Sequence, residues 1–284
     1  MSDPTTATEA ELRRYVREGG NVAWEPFPGQ NIVDRMQRAR VEGREALVNA
    51  VLSRVPVATS PSAASDHVPA STRAKVEPMV RGLFPRAEQE AVLRVLETSV
   101  VFVTATTVEA LIRSVRYDST AWTLANLYLT SAGVELLGPD ASKIVGMSEG
   151  TTCYVSSSAY FDDESPFADF IVHEAAHVFH NCKRVTAGLP EVRRRDWLLP
   201  IEYRERETFA YACEAYSQIL RRARSVADRR NLAEEFAASF AFPDDVVNAS
   251  KVIEIVREAV SARNGWKVIH GRCAPPKRAR GRRS

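Results

Sequence analysis

Cysteine, histidine, long apolar runs and a surplus of either charge are all scarce in this chain of 284 residues. The four cysteines, Cys153, Cys182, Cys213 and Cys273, stand far apart and none forms a C-x-x-C pair, which excludes a disulfide framework and leaves them as reduced thiols. No apolar run approaches the length of a membrane span, and the opening MSDPTTATEAELRRYVREGG is polar rather than a charged head followed by an apolar stretch. The expectation is a cytoplasmic protein without a membrane partner. Basic and acidic residues nearly cancel, 38 against 36, and five of the 38 lie in the last eight residues, KRARGRRS. The remaining body, 33 basic against 36 acidic, is close to neutral, which argues against nucleic-acid binding by the protein as a whole. The tail, entered through Pro275 and Pro276, is expected to be a disordered basic end, either solvated or in contact with nucleic acid or an acidic partner.

The apolar and charged fractions, 45% and 26%, are those of a globular protein long enough to bury a full core. Three of the five histidines fall between positions 173 and 180, and two of them frame the pattern H-E-x-x-H: His173, Glu174 and His177. Residues four apart share one face of a helix, so both imidazoles can address one metal ion with Glu174 beside them. Zinc suits two imidazoles and an open position for water, and a neighbouring carboxylate can take the proton of that water as it attacks a carbonyl. The pattern also occurs on ordinary helices, where such histidines merely hydrogen-bond. Here its surroundings, Phe170, Ile171, Val172, Ala175, Ala176, Val178 and Phe179, predict a buried helix. Ser165 is the expected N-cap with Pro166 at the first helical position, and Gly188-Leu189-Pro190 the expected end.

The remainder reads as α+β and mostly helical, with a small sheet. Helices are predicted over 9–18, 32–54, 86–97, 108–117, 228–240 and 246–262, and strands at Ser99–Thr107 and Thr151–Phe161, while Thr120–Leu129 fits either type. The second strand, directly ahead of the H-E-x-x-H helix, is expected to be an ordinary sheet strand or an edge strand able to accept an extended peptide. The segment PVATSPSAASDHVPAS has linker composition, so residues 1–55 form an N-terminal helical region, 56–75 a linker, 76–270 the main domain and 271–284 the tail.

A catalytic zinc requires a third protein ligand. A helix beginning at Pro200 carries Tyr203, Glu207, Tyr211, Glu214 and Gln218 on one stripe; Glu207 is one candidate, and Glu214, two turns on, is another ligand candidate or a partner holding a histidine tautomer. HEAAH followed by E-T-F-A-Y-A (Glu207 to Ala212) is similar to gluzincin-type zinc metallopeptidases, in particular the minigluzincin and ImmA/IrrE kinds. The resemblance covers roughly residues 100 to 222. It implies His173, His177 and Glu207 as Zn2+ ligands, Glu174 as general base, an edge strand before the active-site helix, and a peptide or protein substrate. His180 and Tyr211 are candidate donors to an oxyanion, with Tyr203 a rival; the plain alternatives are a structural histidine for His180 and core packing for each tyrosine. Two other readings stand beside it. One is a deformylase-like amidase with Cys153 as a ligand; the other is a non-catalytic interaction module stabilised by metal. A metzincin is excluded because its third histidine would fall at Lys183.

Overall fold

The computed structural model describes residues 4–55, 68–156, 166–192, 195–239 and 247–276. The predicted N-cap Ser165, most of the linker and the basic tail lie outside them. The architecture is α+β and mostly helical, and the chain divides into two compact units that interleave in sequence.

The first unit comprises residues 1–65, 101–147 and 154–162. Its helices are α1 (Pro4–Glu18), α2 (Ile32–Arg54), α5 (Val108–Ser114) and α6 (Asp118–Ser131). Asn31 caps α2 by accepting from the Asp34 N–H at 3.0 Å. Helix α2 buries Ala39, Leu47, Val48 and Val51, while Ile32 and Met36 near its start are exposed. Helix α6 resolves the ambiguity at Thr120–Leu129: eight of those ten positions are buried, and Ala121, Leu124, Ala125, Leu127, Tyr128 and Leu129 join a core shared with Tyr15, Leu47, Val51 and Ile112. Burial on nearly every side erases the periodicity by which helix and strand are told apart. Among the described residues of this unit the buried charged side chain is Arg44, which donates to Asp118 Oδ1 at 2.8 Å and to the Ile112 carbonyl at 2.9 Å.

The second unit comprises residues 66–100, 148–153 and 163–284. It contains α3 (Val68–Leu83), α4 (Arg86–Ser99), α7 (Phe170–Asn181), α8 (Arg206–Arg222), α9 (Val226–Ser239), α10 (Ala249–Ser261) and α11 (Gly265–Cys273). Phe84, Phe179 and Phe209 pack edge to face, with centroids 5.2 and 6.5 Å apart, and tie α7 to α8 and to the end of α3. Helix α3 occupies residues expected to be linker, with Pro78 in its interior at the loss of one intrahelical hydrogen bond. Gly265 opens α11 beneath an Asn264 cap.

Three short strands, β1 (Val100–Val103), β2 (Gly146–Glu149) and β3 (Thr152–Ser156), form one sheet in the order β1-β3-β2. A two-residue connection through Gly150, at φ +59°, makes β2 and β3 an antiparallel hairpin. The strand ahead of the H-E-x-x-H helix is therefore central, not an edge. Its last four residues are all buried. The edge position beside it belongs to β2.

Candidate metal centre

Helix α7 starts later and ends sooner than its flanking residues predict. Asp169, not Ser165, is the cap, accepting from the Val172 N–H at 3.4 Å, and the helix ends at Asn181, with Cys182 as C-cap. Gly188, in the left-handed region at φ +71°, closes a separate 3-10 turn over Arg184–Ala187. His173 thus lies within the first turn of α7.

Asp169 is itself held on several sides. Its fully buried carboxylate meets Lys75 Nζ of α3 at 3.1 Å, Gln218 Nε2 of α8 at 3.0 Å and an Arg221 nitrogen at 3.5 Å. Its backbone N–H donates to Glu214 Oε1 at 2.6 Å. These contacts fix the helix start against α8.

Helix α8 begins at Arg206 behind a 3-10 turn, not at Pro200. Tyr203 falls on that turn, 73% exposed and stacked on the Arg206 guanidinium, which removes it from the interior stripe expected for it. Glu207 sits in the first turn of α8, and its Oε2 lies 3.5 Å from Nε2 of His173 and 3.4 Å from Nε2 of His177. The two Nε2 atoms are 3.3 Å apart. These three residues form a group that could hold a metal ion.

The remaining ring nitrogens are occupied. Nδ1 of His173 lies 3.2 Å from Glu214 Oε2, and Nδ1 of His177 lies 3.0 Å from Nε2 of His180, whose own Nδ1 is 3.0 Å from Asn181 Oδ1. Glu214 therefore takes the role of partner to a histidine, on the side of the ring away from Glu207. Both nitrogens of His180 face protein groups rather than a substrate position. Tyr211 packs against the His173 ring, centroids 4.6 Å apart, at a T-shaped angle.

Glu174 is buried, and its carboxylate accepts a hydrogen bond from the Ser148 hydroxyl of β2. Ser148 was not among the residues singled out from sequence; a serine between Met147 and Glu149 carries no pattern. The buried Cys153 thiol donates to the Glu174 carbonyl oxygen at 3.1 Å. Burial pushes this thiol well above its ordinary range, and it lies outside the His-His-Glu group.

The electrostatics of the three-residue group are those of a cation site. Burial opposes charge on His173, but Glu207 and Glu214 outweigh it and raise its pKa to about 10. For Glu207, burial acts upward and the two histidines downward, and the histidines prevail. His180 differs: burial, with His177 and Arg206 nearby, lowers it to about 4, so it stays neutral. The Glu207 side chain is 41% exposed, against 10% for either histidine, so the group reaches solvent at its glutamate corner.

Compared with known proteins, the chain matches no protein-family model, no curated protein and no solved structure. No helix among the described residues is long and apolar enough to cross a membrane.

Proposed function

We propose that the protein is a zinc-dependent metallopeptidase of gluzincin type, with His173, His177 and Glu207 as ligands and Glu174 as general base. The observation that carries the reading is the triangle of donor atoms, with edges of 3.3, 3.4 and 3.5 Å. Ligands about 2.0–2.1 Å from a tetrahedral ion stand about 3.3–3.4 Å from one another, so the donor set has the dimensions of three corners around zinc. Two nitrogens and one carboxylate oxygen are also the donor types of a hydrolytic zinc site, with the fourth corner left for water.

Zinc bound here would acidify a water molecule and polarise a substrate carbonyl. The chain's own residues supply the rest. Glu174 accepts the proton of the attacking water and passes it to the departing amine, while the Ser148 hydroxyl fixes the orientation of its carboxylate. Tyr211, packed on His173, is the candidate hydroxyl donor to the oxyanion. An extended peptide would run along β2, the edge strand that carries Ser148, rather than along β3.

Metal analysis of the purified full chain, followed by peptide-library digestion with wild type and Glu174→Gln, tests the reading. One zinc per chain, cleavage by wild type, and a variant that keeps zinc while losing cleavage are expected. A chain that takes up no zinc, or a Glu174→Gln variant that cleaves as wild type does, overturns it; zinc without cleavage favours a metal-stabilised interaction module.

A further inference from the structure

We infer that His180 and Asn181 act together as positioning residues that fix the proton of His177 on Nδ1 and so keep its Nε2 available to a metal. The inference rests on the metal-site reading above and adds to it a device for setting one ligand's tautomer.

His177 and His180 are three residues apart and share one face of α7, with ring centroids 5.2 Å apart. Together with Asn181 they form a row of three polar groups joined by two contacts of 3.0 Å. A neutral imidazole has one N–H and one bare nitrogen, so the proton order along such a row is decided at its end. The end group is the side-chain oxygen of Asn181, which can only accept. His180 must then carry its proton on Nδ1, its Nε2 is bare, and Nδ1 of His177 must donate to it. The opposite order would put the His177 proton on Nε2, pointing at His173 and Glu207 and blocking coordination.

His173 has a different kind of group at its Nδ1. Its Nδ1 faces the carboxylate of Glu214, which is anchored by the Asp169 N–H at the opposite end of α7. One ligand is thus oriented by a charged group near the start of the helix and the other by neutral groups at its end. Both His177 and His180 are buried, so water does not replace the missing acceptor when His180 is changed.

The test uses the full-length chain as wild type, His180→Leu and His180→Gln. Gln places an acceptor oxygen at about the reach of the imidazole Nε2, whereas Leu fills the space without one. Zinc affinity is measured by competition with a chromophoric chelator, and histidine tautomers by nitrogen-15 NMR. We expect His180→Leu to bind zinc about 10–100-fold more weakly and His180→Gln to recover most of that loss, with His177 protonated on Nδ1 in wild type. Unchanged affinity in His180→Leu, equal losses in both variants, or a His177 found protonated on Nε2 would overturn the inference.

If His180→Leu fails to fold by circular dichroism, Asn181→Leu takes its place. Weaker zinc binding with a redistributed His180 tautomer supports the inference; no change in either defeats it. A wild type that binds no zinc defeats the metal reading instead, and the His177 and His180 tautomers of the zinc-free protein still decide this one.

Discussion

Glu214 and Glu207 meet the same imidazole from opposite sides: Oε2 of Glu214 lies 3.2 Å from Nδ1 of His173, and Oε2 of Glu207 lies 3.5 Å from its Nε2. Two turns of α8 separate these carboxylates, so one helix supplies both the third corner of the group that could hold a metal ion and the partner of His173 Nδ1. Their substitutions should therefore differ in kind. Glu207→Ala should abolish stoichiometric zinc binding, whereas Glu214→Ala should weaken it by about 10–100-fold without changing the ligand set. Chelator competition measures the first difference, and the visible spectrum of the cobalt-substituted protein the second. Equal losses in the two variants would contradict the assignment.

Proton and metal compete for the same position. With its pKa raised to about 10, His173 holds a proton at neutral pH in the metal-free protein, and zinc bound as proposed would have to displace it. Affinity should accordingly rise with pH between 6 and 9, by up to about tenfold per pH unit for one displaced proton. Calorimetry in buffers of different ionisation enthalpy should show close to one proton released near neutrality. For metal-free stability the sign is opposite: a raised pKa contributes fully below the unfolded value of about 6.5 and is lost as pH climbs towards 10. Addition of zinc should remove that alkaline decline, which thermal denaturation at a series of pH values would show.

Ser148 should affect turnover but not metal content. Its hydroxyl reaches the Glu174 carboxylate and none of the three proposed ligands, so Ser148→Ala should lower kcat by a few-fold and leave zinc stoichiometry at one. A loss of zinc on this substitution would mean that the hairpin shapes the metal group itself.

The space between α3 and α11 is tightly filled at Gly82. A Cβ added there would stand 2.1 Å from a ring carbon of Trp266, a side chain that is itself buried and packed edge to face on Tyr216 at 4.8 Å. Gly82→Ala should therefore destabilise by about 1–3 kcal/mol through overpacking, despite the better helix propensity of alanine. Denaturant titration would measure it, and a neutral or stabilising result would show that Trp266 moves aside easily.

Arg184 offers a second check on packing. Its guanidinium is buried and binds both oxygens of Glu88 at 2.7 and 3.1 Å, joining the turn after α7 to α4. Arg184→Met should cost about 3 kcal/mol, because Glu88 is left without its counter-charge, and Arg184→Met with Glu88→Leu should recover much of that loss. Additive losses in the double variant would refute this.

The sequence was most legible where periodicity and chemistry coincide. H-E-x-x-H on an apolar helix announces itself, and the spacing to Glu207 is visible once a second helix is granted. Edges were harder to read. Ser165-Pro166 imitates a helix start, yet Asp169 prevails because its carboxylate can also engage Lys75, Gln218 and Arg221, partners brought together only by the tertiary fold. Helix α3 was obscured by Pro78 and by the small residues ahead of it. The centrality of β3 depends on β1, about fifty residues earlier, and no local pattern encodes it. Ser148 and the His180–Asn181 row lacked any motif of their own, since each draws its meaning from a neighbour in space.

Interleaving of the two units sets a limit on how this gene product can be dissected. The core around Leu47 and Val51 is completed by Ile112, Leu124 and Leu127, which the chain supplies only after it has left and returned through α3 and α4. Deleting residues 1–55 would strip α5 and α6 of their covering and leave a sticky remnant rather than an intact shortened protein.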